Sequence, residues 1–156
     1  MSEFRFEKLR VPAELALTTG GVVSGWFFVS GTAALHDGPE RVGDLLNERS
    51  GFFPFERSDG ATVLYNRSQL VTVSLPEGMV EAELDPGYEV ATHRGVAVLL
   101  TNGVRVTGTV AVYRPIGHDR LSDYASCEEQ FRYLVTAEQT LILNAAHIVE
   151  LVETAD

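Results

Sequence analysis

The chain has one cysteine, one lysine and one tryptophan among its 156 residues. With Cys127 alone, no disulfide can close within the chain, and no cysteine-built zinc or iron–sulfur site can form in it. The neighbouring Glu128 and Glu129 would raise the thiol's pKa, the reverse of what a nucleophile needs. Ser24 and Ser30 lack the Gly-x-Ser-x-Gly elbow of serine hydrolases. The chain is therefore expected not to be an enzyme, and no cofactor is expected.

Lys8 is the only lysine, and 12 basic residues face 22 acidic ones for a net charge of −10. Nucleic-acid binding needs clustered cations to neutralise phosphates, so this balance opposes it. No run approaches the ~18 apolar residues of a membrane span, and Glu3, Arg5, Glu7 and Lys8 break up the start where a signal peptide needs apolar residues. A cytoplasmic protein without a membrane partner is the expectation.

What the chain does have is ordinary globular composition, 45% hydrophobic and 22% charged, and a glycine-rich stretch, "LTTGGVVSGWFFVSG", at residues 17–31. As a phosphate loop it lacks the third glycine and the helix that should follow. An internal repeat reads it differently. "LTTGGVVSGWFFV" (17–29) lies over "LTNGVRVTGTVAV" (100–112), with Leu17, Thr18, Gly20, Val23, Gly25 and Val29 repeated 83 positions on. "RVGDLLN" then lies over "RLSDYAS", "FFPF" over "FRYL", and "LYNRSQLVTV" over "ILNAAHIVEL", with offsets drifting only to 79 and 78.

In the second copy the glycines reduce to Asn102-Gly103 between alternating valine-rich runs, the signature of a two-residue hairpin turn with both central φ positive. Gly20 marks the corresponding corner. Gly25 and Gly108, inside the second strand of each copy, mark a bulge or sharp bend. The expected strands lie near 13–18, 22–30, 52–57, 61–66 and 69–75, and again near 96–101, 104–113, 130–136, 139–144 and 147–153. A short helix is expected within 38–51, where Val42, Leu45 and Leu46 recur at helical spacing. Ser126 and Glu129 form a possible capping box that competes with the strand drawn over 130–136. Pro54 suggests an edge strand.

The fold class expected is all-β: two tandem five-stranded small barrels with a short helix in the variable segment. The first barrel covers residues 1–75 and the second 90–156. Residues 76–89, "PEGMVEAELDPGYE", hold five of the acids and no base, as a solvated acidic linker would.

Strand, Asn-Gly turn, strand with an internal glycine, variable segment and a last strand after a short turn together resemble the Sm-like small barrel, of the SH3-like class and including its bacterial Hfq branch. The likeness spans about 65 residues twice and rests on structural motifs. "RVGDLL" and "RLSDY" also resemble a repeated motif of uncharacterised bacterial tandem-barrel proteins, which supplies no activity. Sm-like proteins join edge strands into rings of six or seven barrels, and many bind RNA through the loop after the second strand and the turn before the last strand. Here that turn carries Asn66, Arg67, Ser68 and Gln69, or Asn144, Ala145, Ala146 and His147, without the Lys-His or Arg-Gly character of the RNA binders.

The resemblance therefore implies a non-catalytic interaction or assembly module, with an Sm-like RNA-binding protein as the alternative. Self-association through edge strands is expected, with another protein as a further partner; at the angle of a six-barrel ring three chains complete it, and a dimer, or a monomer whose ends are covered by residues 1–10 and the acidic linker, is the competing outcome. Candidate interaction residues are Trp26, Phe28, Arg67, Gln69 and His147. Trp26, Phe27 and Phe28 cannot all face one core, because successive strand residues point to opposite faces. Packing between the barrels is the expected cover for the remainder. Arg41 and Asp44, three apart, are expected to pair locally at the helix start, as are Arg120 and Asp123. His36-Asp37 and His118-Asp119 recur in matching places, but two polar loops account for them without a metal.

Overall fold

The computed structural model describes residues 8–31, 40–48, 51–85, 87–113, 121–125 and 129–154. His36, Asp37, His118, Asp119, Arg120, Ser126 and Cys127 lie outside them.

The chain is mostly β. The first half supplies β1 (Lys8–Leu17), β2 (Val22–Ser30), helix α1 (Val42–Glu48), β3 (Phe52–Arg57), β4 (Thr62–Asn66) and β5 (Leu70–Ser74). The second supplies β6 (Thr92–Leu100), β7 (Arg105–Val112), helix α2 (Leu121–Ala125), β8 (Phe131–Val135), β9 (Thr140–Asn144) and β10 (Ile148–Glu153). All ten strands join one antiparallel sheet in the order β10-β6-β7-β8-β9-β5-β1-β2-β3-β4. The sheet does not close on itself; β10 and β4 are its edges.

Alternating apolar residues make these strands. In β2, Phe27 and Val29 are buried while Trp26 and Phe28 are only partly so; in β6, Val96, Val98 and Leu100 are buried. The two halves share some local details. β5 and β10 each depart from regular pairing at matching residues, Val71 and Val149, which fall between consecutive pairs. Asn66 and Asn144 each cap a single 3₁₀ turn, accepting at 3.0 Å from the backbone N–H of Ser68 and Ala146.

The two leading hairpins differ from expectation. Each has a three-residue loop, Thr18-Thr19-Gly20 or Thr101-Asn102-Gly103, in which the glycine N–H donates to the carbonyl of Leu17 or Leu100 at 2.9 Å. Only the glycines turn left-handed, with φ of 92° at Gly20 and 84° at Gly103. Asn102 keeps a negative φ and instead accepts from the Val104 N–H at 3.0 Å, so one left-handed glycine suffices.

Gly25 and Gly108 are required by close approach. A Cβ on Gly25 would lie 2.9 Å from the Arg57 Cα, and one on Gly108 would lie 3.0 Å from the Val135 carbonyl carbon. The third strand of each half passes against the glycine, and pairing with the first strand runs through both glycines in unbroken register, without a bulge.

Residues 131–135 form a strand rather than a helix, paired with β9 from Phe131↔Asn144 to Val135↔Thr140. β3 is not an edge strand, since β2 and β4 flank it. Pro54 is tolerated because β2 pairing ends at Phe27↔Phe55, one residue short of it.

Two apolar clusters form the core, one around Leu15, Phe27, Phe53 and Phe55 and the other around Val96, Val98, Val110 and Leu134. They meet at β5 and β9, paired from Thr72↔Leu143 to Ser74↔Leu141. Leu70 and Val73 of β5 belong to the first cluster and Val71 to the second; Ile142 of β9 belongs to the first, Leu141 and Leu143 to the second. Leu70 to Val73 and all of β9 are buried. A strand buried on both faces joins what lies on either side of it.

Candidate functional site

The residues singled out in the final turns make hydrogen bonds within the fold. Arg67 is 4% exposed; its guanidinium donates to the carbonyls of Phe52 (2.7 Å) and Leu45 (3.0 Å) and lies over the Phe53 ring. Gln69 is exposed and accepts from the Thr18 hydroxyl at 2.5 Å. His147 bridges the halves: Nε2 lies 2.7 Å from the Ser68 carbonyl and Nδ1 lies 3.0 Å from the Thr101 hydroxyl. A carbonyl can only accept, so Nε2 carries the proton it donates.

Trp26 and Phe28 are half-buried on the face opposite Phe27. Trp26 is covered by Arg10 of the adjacent strand, whose guanidinium sits 4.3 Å from the ring centroid and pairs with Glu56 at 3.3 Å. A side chain from its own half thus supplies cover that packing between halves was expected to supply.

Two acids of the 76–89 segment, Glu81 and Asp85, are engaged by the fold, while Glu77, Glu83 and Glu89 are exposed. Glu81, at the head of a 3₁₀ turn over Glu81–Leu84, is 7% exposed. Both its carboxylate oxygens accept from the Val42 N–H, at 3.0 and 3.1 Å, and Oε1 also accepts from the Tyr133 hydroxyl at 2.9 Å. One acid thereby ties the start of α1 to β8. Burial pushes the Glu81 carboxyl above its usual range despite these donors.

Arg41 and Asp44 pair locally as the three-residue spacing suggested, Nη2 to Oδ1 at 2.8 Å. Arg41 also reaches Asp85 at 2.5 Å and the Glu81 carbonyl at 3.2 Å. Burial works against its charge, but Asp44 and Asp85 outweigh it and keep the guanidinium protonated. Tyr133 lies against Gly43, where a Cβ would come 2.7 Å from its ring. The partners of these acids are far away in sequence, which is why composition alone read them as solvated.

Beside this network a cleft of about 280 Å³ opens between β7 and β8. The first half makes three β2–β3 pairs, Gly25↔Arg57 to Phe27↔Phe55, whereas β7 and β8 make one, Thr109↔Val135. The repeat places Thr109 and Ala111 where the first half has Trp26 and Phe28. Both small residues line the cleft.

Four of the five tyrosines, Tyr88, Tyr113, Tyr124 and Tyr133, line it, with Asp85 and Glu129. The Tyr113 hydroxyl donates to Asp85 at 3.1 Å. Burial, then the charge of Asp85, raises the Tyr113 pKa; burial, then Glu81, raises that of Tyr133. Both phenols are protonated donors at neutral pH. Arg132 lies over Tyr124 and donates to the carbonyls of Glu129 and Tyr124, each at 2.7 Å.

Sequence reasoning missed this cleft. Its one visible trace was the replacement of Trp26 and Phe28 by Thr109 and Ala111 in the repeat. Among the described residues no three His, Cys, Asp or Glu side chains come together to hold a metal ion, and no helix is long and apolar enough to cross a membrane. Compared with known proteins, the chain matches no family model, no curated protein and no solved structure.

Proposed function

We propose that the chain is a non-catalytic assembly module of two Sm-like barrels that associates head to tail with copies of itself. One observation carries this reading: the strand pair joining the two halves recurs, unpaired with each other, at the two ends of the sheet. β5 joins β9, and 78 positions away their counterparts β10 and β4 form the sheet edges. An open edge presents unpaired backbone donors and acceptors, and these two are the same elements that already fit one another inside the chain.

Transferring the internal register by 78 positions sets Glu150 opposite Tyr65, Leu151 opposite Leu64 and Val152 opposite Val63 in the next chain. Leu64 and Val152 are exposed, at 65% and 53%, as residues awaiting an apolar neighbour would be. Such a joint is heterologous, so it propagates until the rotation closes, and three chains complete a six-barrel ring. The RNA-binding alternative draws less support, because Arg67 and His147 spend their polar atoms within the fold.

Light scattering coupled to size exclusion tests the reading, with a trimer as the expected species. With Cys127→Ser as background, Leu64→Cys and Leu151→Cys together should cross-link between chains on oxidation, and neither alone should. A monomer at every concentration, with no cross-link, overturns the proposal.

A further inference from the structure

We propose that the tyrosine cleft between β7 and β8 is a binding site for an organic cation carrying a guanidinium or alkylammonium group. This inference is independent of the assembly reading.

Size comes first. About 280 Å³ is room for a small side-chain-sized group, against roughly 30 Å³ for each water of the liquid. The walls select the chemistry. Aromatic faces carry negative quadrupole charge, and four tyrosines supply them. The chain already uses two of these rings in this way, with Arg41 5.5 Å from the Tyr133 centroid and Arg132 5.1 Å from that of Tyr124. Tyr113, 46% exposed, and Tyr88 stand on the outer part of the cleft, where an incoming group would meet them.

Charge points the same way. Asp85 and Glu129 both line the cleft. Arg132 also lines the cleft, where its guanidinium donates to two backbone carbonyls, and Arg41 beside it is paired with Asp44 and Asp85. Asp85 is already shared by Arg41 and the Tyr113 hydroxyl, which leaves Glu129 as the lining carboxylate to pair with an incoming cation. The net charge of −10 further enriches cations around the surface.

Nuclear magnetic resonance titration of the full chain tests the site. The probes are agmatine, Nα-acetyl-arginine methylamide, its uncharged isostere Nα-acetyl-citrulline methylamide, uridine and inorganic phosphate. Both guanidinium probes should shift resonances of the cleft residues saturably, with citrulline at least about tenfold weaker. Equal affinity for the two guanidinium probes identifies a polypeptide side chain as the source, and a strong preference for agmatine identifies a free amine.

Ala111→Phe, which restores the first half's bulk, should abolish binding. Tyr113→Ala should weaken it about tenfold, while Tyr113→Phe, which keeps the ring and loses only the hydroxyl, should hold it within about twofold. Unchanged amide spectra away from the cleft show that each variant folds. Absence of saturation by either guanidinium probe overturns the proposal, as does citrulline, uridine or phosphate binding as well as they do.

Discussion

The side-chain amide of Asn47, near the end of α1, pairs with the backbone of Phe131 in β8: Nδ2 donates to the carbonyl at 2.8 Å and Oδ1 accepts from the N–H at 2.9 Å. A side chain of the first half thus meets both backbone polar groups of one residue in the second, as a neighbouring strand would. Phe131 is 2% exposed and packs into the first half's core. Asn47→Ala would leave both backbone groups without these partners, at a cost of about 1–3 kcal/mol. Urea denaturation should show it, and Asn47→Asp, which cannot donate, should also lose stability. Unchanged midpoints would show that the contact contributes nothing.

The two halves should not survive separation. β5 has residues in both apolar clusters, and Phe131 and Ile142 of the second half fill the first half's core. Residues 1–76 expressed alone would expose one side of β5 and lose those side chains. Circular dichroism melting should find the fragment unfolded or far less stable than the whole chain; a fragment melting at the parent temperature contradicts the shared core.

Gly25→Ala and Gly108→Ala should each destabilise the chain by about 1–3 kcal/mol or more, because the new methyl meets backbone that cannot swing aside. Gly21→Ala, where the nearest atom is the Thr19 hydroxyl at 3.9 Å, is the control and should cost much less. Equal effects at all three positions would remove close approach as the reason for the strand glycines.

Burial raises the Glu81 pKa above its unfolded value, so the folded protein favours the neutral carboxyl. Its stabilising contribution is full below the ordinary glutamate range and is lost as pH rises through the raised value. Glu81→Gln removes this titration. The stability of the parent chain relative to this variant should therefore be greatest in acid and decline toward neutral pH; a difference that does not change with pH would rule out the shift.

Arg67→Ala should act on stability rather than on RNA. Its hydrogen bonds to the Phe52 and Leu45 carbonyls are charge-assisted, and losing them should cost about 1.5–3 kcal/mol. Uridine-rich and adenine-rich oligonucleotides at ~0.15 M salt should show no saturable binding to the parent chain. Submicromolar binding abolished in a folded Arg67→Ala variant would restore the RNA reading.

Sequence determined the strands and the places where only glycine fits, because these depend on short-range features. Alternation of apolar residues reports which face of a strand is buried, and a left-handed corner needs glycine whatever surrounds it, as at Gly20 and Gly103. Even the three-residue hairpin loops kept their glycines where the sequence set them, although Asn102 took another conformation.

Tertiary structure decided the rest. Glu81 and Asp85 read as solvated charge in a linker until Val42, Tyr133 and Arg41 were brought to them across 39, 52 and 44 positions. The cleft depends on β8 diverging from β7, on Thr109 and Ala111 leaving space, and on four tyrosines from separate elements converging there. None of these follows from local periodicity: a small residue in a strand makes a cavity only where no neighbouring side chain fills the space, and that neighbour is supplied by the packing of distant segments.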